Sequence, residues 1–101
     1  MEKRTLAGVM QDLAARGFTE QFKAGPAGLF AVRTGQTFAP SEVTICEDYR
    51  FEGESDPDDM SIVYAIESRD GTRGTLVDAF GVYADPAVGS ILEHVPIRRA
   101  V

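Results

Sequence analysis

The chain has 101 residues, of which 44% are hydrophobic and 26% charged, and this balance is typical of a single globular domain spanning 1–101 rather than of a disordered segment. Sixteen acidic residues against ten lysines and arginines give a formal net charge of -6, which argues against binding to nucleic acid or to an anionic membrane. The single cysteine cannot form an internal disulfide, as expected of a cytoplasmic protein.

The first part of the chain predicts an amphipathic helix over residues 5–16. Its apolar residues recur at the i, i+3, i+4 and i+7 spacing of one helical face, namely Leu6, Val9, Met10 and Leu13. Gly17 follows at the position where a left-handed residue commonly ends a helix, and Phe18 is placed to fold back onto Leu13. We therefore expect one N-terminal helix with a buried apolar stripe.

After this helix the apolar period becomes that of extended strands separated by turns. Four to six strands are predicted, from segments at 18–22, 29–33, 36–38, 43–51, 61–67 and 73–80. Asp70-Gly71, between the last two segments, is a strong hairpin signal. Residues 61–67 are apolar on both faces, which is typical of a central strand.

The segment 43–51 alternates polar and apolar residues, which predicts a strand with one buried face. The apolar members of that face are Val43, Ile45, Tyr49 and Phe51. Glu47 falls on the same face as an exception. Cys46 is interpreted as a structural thiol, since no neighbouring base activates it.

The C-terminal part returns to helical spacing. Asp85 can cap a helix, Pro86 suits its first position, and Pro96 stops it. The apolar residues of its single face are Val88, Ile91, Leu92 and Val95. The element order predicts an α+β domain, in which short turns join the strands into an antiparallel meander sheet and the N-terminal and short C-terminal helices cover one face.

The net negative charge of the chain arises in one segment, 42–59, which holds eight of the sixteen acids and one base. In its densest part, Asp56, Asp58 and Asp59 are candidate ligands for Mg²⁺ or Ca²⁺, which prefer oxygen donors. Their spacing matches no dedicated metal motif, so a solvated acidic turn is the alternative. No other cofactor is predicted.

Asp78 interrupts an apolar strand and shares the parity of Leu76 and Phe80. A carboxylate that faces inward needs hydrogen bonds or a cation to offset its desolvation. The candidate partners are Arg50, Arg73 and the hydroxyls of Tyr49, Tyr64 and Tyr83. Of these, Arg50 and Tyr49 form the candidate ligand-binding site with Asp78. We interpret Asp78 as a structural hydrogen-bonding centre, with ligand binding as the alternative.

Residues 49–86, YRFEGESDPDDMSIVYAIESRDGTRGTLVDAFGVYADP, and 13–22, LAARGFTEQF, resemble a family of small bacterial proteins of about this length. Members are often labelled phosphoribosylpyrophosphate synthetase, and the resemblance implies a bacterial protein without indicating catalytic residues. Synthetases of that name are several times longer and place paired acids directly after an apolar strand. Here Asp58 and Asp59 precede the strand, so we do not expect that activity.

No catalytic constellation is recognisable in the sequence. We therefore expect a non-enzymatic module of the bacterial cytoplasm that binds a partner protein or a small molecule. The alternative is a divalent-metal-dependent protein or enzyme that binds phosphate or a phosphosugar through the acidic segment 52–59.

Overall fold

The computed structural model describes residues 5–51, 61–79 and 85–97, which form six strands and two helices. In chain order these are α1 (Leu6–Ala15), β1 (Glu20–Gly25), β2 (Gly28–Ala31), β3 (Thr37–Phe38), a single 3-10 turn (Pro40–Glu42), β4 (Val43–Phe51), β5 (Ser61–Ser68), β6 (Arg73–Ala79) and α2 (Pro86–Leu92). The α+β class and both predicted helices are confirmed.

Helix α1 begins and ends with the local contacts that its sequence predicts. At its start the hydroxyl of Thr5 accepts a hydrogen bond from the Gly8 N–H at 3.0 Å. At its end Gly17 adopts a φ of 101°, and the Phe18 N–H donates to the Leu13 carbonyl at 2.9 Å. This geometry lets Phe18 pack in the same apolar cluster as Leu13, so the helix end also contributes to the core.

The sheet is mixed, and the prediction of a purely antiparallel meander is wrong. Its strand order is β3-β2-β1-β6-β5-β4, so two antiparallel meanders join through a parallel pairing of β1 with β6. Gly74 lies at this junction, where an added Cβ would approach the Glu20 carbonyl oxygen to 2.3 Å. A residue without a side chain is therefore needed for the two strands to meet.

The sheet must be strongly curved, because the short link between β3 and β4 joins its two edge strands. Neighbouring strands lie about 4.8 Å apart, so the edges of a flat six-stranded sheet would lie roughly 24 Å apart. The chain from Phe38 to Val43 can span at most roughly 18 Å. The two edges are therefore drawn together, which gives the sheet a concave and a convex face.

The two helices lie on opposite faces of the sheet, and the prediction that both cover one face is wrong. One cluster contains α1 residues and the convex side of β5, namely Val9, Leu13, Phe18, Val63 and Ala65. The other joins both edge strands and therefore lies on the concave face. It contains residues from all six strands and the α2 region, namely Phe22, Leu29, Ala31, Phe38, Val43, Ile45, Ile66, Leu76, Val88 and Val95. Since β5 is apolar on both faces, each face needs a helix to exclude water.

A β-bulge divides β4 between these two clusters. Ile45 pairs with Ile66 and Glu47 pairs with Ala65, so Cys46 is the extra residue that the bulge inserts into β4. Before the bulge, Ile45 packs in the concave cluster, whereas after it Tyr49 and Phe51 pack against the convex cluster. The predicted single buried face of 43–51 is therefore wrong. Cys46 is half-buried, and its structural role stays a prediction.

Helix α2 closes the concave face and leads to the free edge of β4. The Asp85 carboxylate caps it by accepting from the Ala87 N–H at 2.9 Å. Beyond it, the Ile45 N–H donates to the Pro96 carbonyl at 2.9 Å, and Ile45 forms a parallel bridge with Ile97. The C-terminal segment thereby covers part of an edge that would otherwise be open to pairing.

Candidate ligand-binding groove

A groove opens where β1 and β6 part. Their parallel register covers two residue pairs, Glu20 with Gly74 and Gln21 with Thr75. Beyond these pairs β1 continues along β2, and β6 continues along β5. The space between the diverging strands is a cavity of about 610 Å³, within the range of small-molecule sites.

The groove is lined from both faces of the sheet and mostly by apolar atoms. Helix α1 contributes Met10 and Ala14, and α2 contributes Val88. The strands and the turn after α1 supply the other apolar residues, Phe18, Phe22, Ala24, Leu76 and Val77. Phe22, Leu76 and Val88 are also core residues, so this wall is rigidly packed.

The polar residues that line the groove are Thr19, Glu20, Gln21, Lys23, Thr75, Asp78 and Asp85. Two of the carboxylates, those of Asp78 and Asp85, lie together, and the Asp85 N–H donates to Asp78 Oδ1 at 3.2 Å. A ligand would therefore meet an apolar wall with acidic groups at the α2 side.

The structure brings two of the three predicted ligand residues to one face. In the β4–β5–β6 register, Arg50 and Asp78 both pair with Ile62, from opposite sides, so all three share the concave face. Tyr49 lies on the convex face, where its hydroxyl donates to Glu47. The candidate set of Asp78, Arg50 and Tyr49 is thus split by the sheet.

Tyr64 lies on the same face as Ile62, two residues further along β5, and pairs with Asp48 of β4 and Leu76 of β6. It is half-buried, and its own burial is the main reason that its pKa is raised above the ordinary value. The carboxylates of Asp78 and Asp48 raise this pKa further, whereas Arg50 opposes the rise. The phenol therefore stays protonated at neutral pH and can donate a hydrogen bond.

The candidate metal ligands Asp56, Asp58 and Asp59 lie outside the described residues. Within 5–51, 61–79 and 85–97, no group of three or more histidine, cysteine or acidic side chains is arranged to hold a metal ion. A divalent-metal site in the acidic segment stays a prediction.

Sequence reasoning missed the β1 side of the groove, including Gln21 and Lys23. Their exposed positions alternate with buried neighbours as on any half-buried strand. The available signal was Gly74, because a glycine inside a strand indicates a close backbone approach. That signal would have located the meeting of β1 with β6, next to which the groove opens.

Comparison with protein-family models, with curated proteins and with solved structures found no match. Neither helix in the described part of the chain is long and apolar enough to cross a membrane.

Proposed function

We propose that this protein is a non-enzymatic binding module whose ligand is a small, mainly apolar molecule held in the groove between β1 and β6. The supporting observation is the divergence of these strands after two residue pairs, which leaves a cavity of about 610 Å³ between packed walls. Small-molecule sites are commonly apolar cavities of this size with a few polar groups that set orientation. The binding role is placed in the bacterial cytoplasm, as the single cysteine and the family resemblance suggest.

The chemistry of the groove favours a ligand with a hydrogen-bond donor at one end. Asp78 and Asp85 supply carboxylate oxygens there, and carboxylates accept hydrogen bonds only. The apolar part of such a ligand would contact Phe22, Leu76 and Val88.

The experiment is a titration of the protein with indole or octanol, followed by the backbone amide chemical shifts of Thr75 to Val77. The first variant is Ala14→Phe, which places a large side chain at the α1 wall of the groove. The matched control is Ala15→Phe, at the next, equally exposed position of α1, which does not line the groove.

Saturable shifts in the wild type and in Ala15→Phe, but not in Ala14→Phe, would support the proposal. The absence of saturable shifts with both probes in the wild type would overturn it. Equal binding to the two variants would also overturn it, because the probe would then occupy another surface. Melting temperatures of both variants establish that they are folded.

A second candidate function is divalent-metal-dependent binding of a phosphate or phosphosugar by Asp56, Asp58 and Asp59. It is motivated by the density of carboxylates in this segment, since such groups suit Mg²⁺ and Ca²⁺. It predicts that millimolar Ca²⁺ or Mg²⁺ raises the melting temperature of the wild type more than that of the Asp56→Asn, Asp58→Asn double variant. Equal shifts would contradict it.

A further inference from the structure

We propose that a second cavity, at the end of the sheet where α1 stops, binds an oxyanion such as a phosphate group or a carboxylate. This cavity measures about 480 Å³. It lies among the end of α1, the start of β1, the turn after β2 and the turn before β6, and we call it the turn-end cleft. Its lining residues differ from those of the groove except at Thr19 and Glu20.

The lining of the turn-end cleft combines two guanidinium groups with hydroxyls. Arg33 and Arg73 contribute the positive charges, and Thr19 and Thr34 contribute hydroxyls, whereas the Thr72 hydroxyl is hydrogen-bonded to Asp70. A guanidinium presents paired N–H donors that match the oxygens of a phosphate or carboxylate, and a threonine hydroxyl can donate one more hydrogen bond. These are the residue types expected for an oxyanion.

Arg73 is held in place before any ligand binds. Its Cζ lies 5.6 Å from the centre of the Phe18 ring, and its Nε lies 3.5 Å from Glu67 Oε2. Its Nη1 extends towards the end of α1, where a Cβ built on Gly17 would lie 3.8 Å from it. Because Gly17 also lines the cleft, Nη1 of Arg73 lies at the wall of the cleft. The contact with Glu67 uses Nε, at the opposite side of the guanidinium.

Arg33 enters the cleft from a turn that a buried carboxylate stabilises. Glu20 is 6% exposed, and its Oε1 accepts from the backbone N–H groups of Gln21 at 2.8 Å and Arg33 at 3.0 Å. The Arg33 side chain is exposed and makes no ion pair with any residue in the described part of the chain. Glu20 therefore fixes the Arg33 backbone and leaves its guanidinium available to an anion.

Arg33 supplies the positive charge that an anion would meet in the cleft. The lining residues include two arginines and the carboxylate of Glu20, and Arg73 is also paired with Glu67. Glu20 is engaged by two backbone N–H groups, whereas the Arg33 side chain is exposed. An exposed guanidinium attracts small anions to this position.

The test is a titration with inorganic phosphate and, separately, with acetate at constant ionic strength, followed by the backbone amide shifts of Gly71 to Arg73. The variant is Arg33→Gln, which keeps the backbone N–H that Glu20 binds. The matched control is Arg69→Gln, an exposed arginine of the β5–β6 turn that does not line the cleft.

We expect saturable binding of at least one anion to the wild type. Arg33→Gln should weaken the affinity about tenfold or more, because a charge-assisted hydrogen bond is lost. Arg69→Gln should leave the affinity unchanged. Tighter binding of phosphate would identify a phosphoryl ligand, and tighter binding of acetate a carboxylate. The proposal would be overturned if neither anion gave saturable shifts. It would also be overturned if the two variants weakened binding equally, because the anion would then be attracted diffusely by positive side chains and not by the cleft. Indole binding in the groove is measured in parallel, so the two proposals fail independently.

Discussion

Arg16 and Glu47 join the end of α1 to the bulge of β4. The Arg16 Nη1 donates to Glu47 Oε1 at 3.1 Å, and Nη2 contacts the second carboxylate oxygen of the same residue. Glu47 also accepts from the Tyr49 hydroxyl. Glu47, the acidic residue that breaks the apolar alternation of 43–51 in the sequence, is therefore the group that ties the convex helix to the edge strand.

This pair predicts a salt-dependent coupling between the two elements. In a double-mutant cycle with Arg16→Gln and Glu47→Gln, we expect a favourable coupling free energy at low salt. Both side chains are partly exposed, so dissolved ions can screen their attraction. The coupling should fall at about 1 M NaCl, where the Debye length is about 3 Å. Urea unfolding at the two salt concentrations measures it, and a coupling that does not change with salt would contradict a mainly electrostatic contact.

Leu13 is the most deeply buried residue of α1, with 0% exposure. Leu13→Ala should lower the free energy of unfolding by about 2–5 kcal/mol, because it removes a packed side chain and leaves a cavity. Leu6, which is only half-buried on the same helical face, is the matched control and should lose less on replacement by alanine. Equal losses in urea unfolding would mean that α1 does not pack as described.

Gly74 predicts a large effect from the smallest substitution. In Gly74→Ala the new methyl group would collide with the Glu20 backbone, so β1 and β6 must move apart at a cost of about 1–3 kcal/mol or more. Gly89→Ala is the control, since its Cβ meets no atom within 4 Å. That variant should stabilise α2 by up to about 1 kcal/mol. Thermal unfolding of both variants checks the opposite signs.

Asp70 predicts an acid-dependent stability. The Ser68 hydroxyl and the Thr72 N–H both donate to its carboxylate, and these bonds lower its pKa from 3.8 to about 2. Because the folded-state pKa is lowered, the contribution is present above the unfolded pKa and is lost as the pH falls from about 4 towards 2. The wild type should be more stable than Asp70→Asn at pH 7, and the difference in free energy of unfolding should shrink below about pH 4. A difference that stays constant down to about pH 2 would show that the carboxylate is not responsible.

Asp78 predicts different effects for two substitutions. Asp78→Ala removes the acceptor for the Asp85 N–H and should cost about 1–3 kcal/mol, whereas Asp78→Asn keeps an acceptor oxygen and should cost little. Equilibrium unfolding in urea measures both losses. A stabilising alanine variant would show that Asp78 is not a structural centre and would make it the first residue to test for ligand binding.

The elements and their ends were predictable because they depend on short-range signals. The capping hydroxyl of Thr5, the left-handed Gly17 and the Asp85-Pro86 start of α2 each act within a few residues. Strand length and burial on both faces of β5 were also visible in local hydropathy.

The strand order and the groove were not predictable from the same signals. Whether β6 pairs with β1 depends on contacts between distant segments, and a single glycine was the local sign of it. The bulge at Cys46 reversed the alternation of Tyr49 and Phe51, because one extra residue exchanges the faces of everything after it. That exchange is also why Tyr49 does not share a face with Asp78.

The parallel pairing of β1 with β6 also bears on the order in which the chain folds. Every other strand pair joins neighbours in sequence, whereas over half of the chain separates Glu20 from Gly74. Closing so long a loop is entropically costly, and the contact that results is stabilised by only two residue pairs. We therefore expect each meander to form first and the two meanders to pair with each other late in folding. Substitutions at the junction should then mainly accelerate unfolding and leave the folding rate nearly unchanged. The same late contact would be the first to open in the native protein, next to the groove in which we propose that a ligand binds.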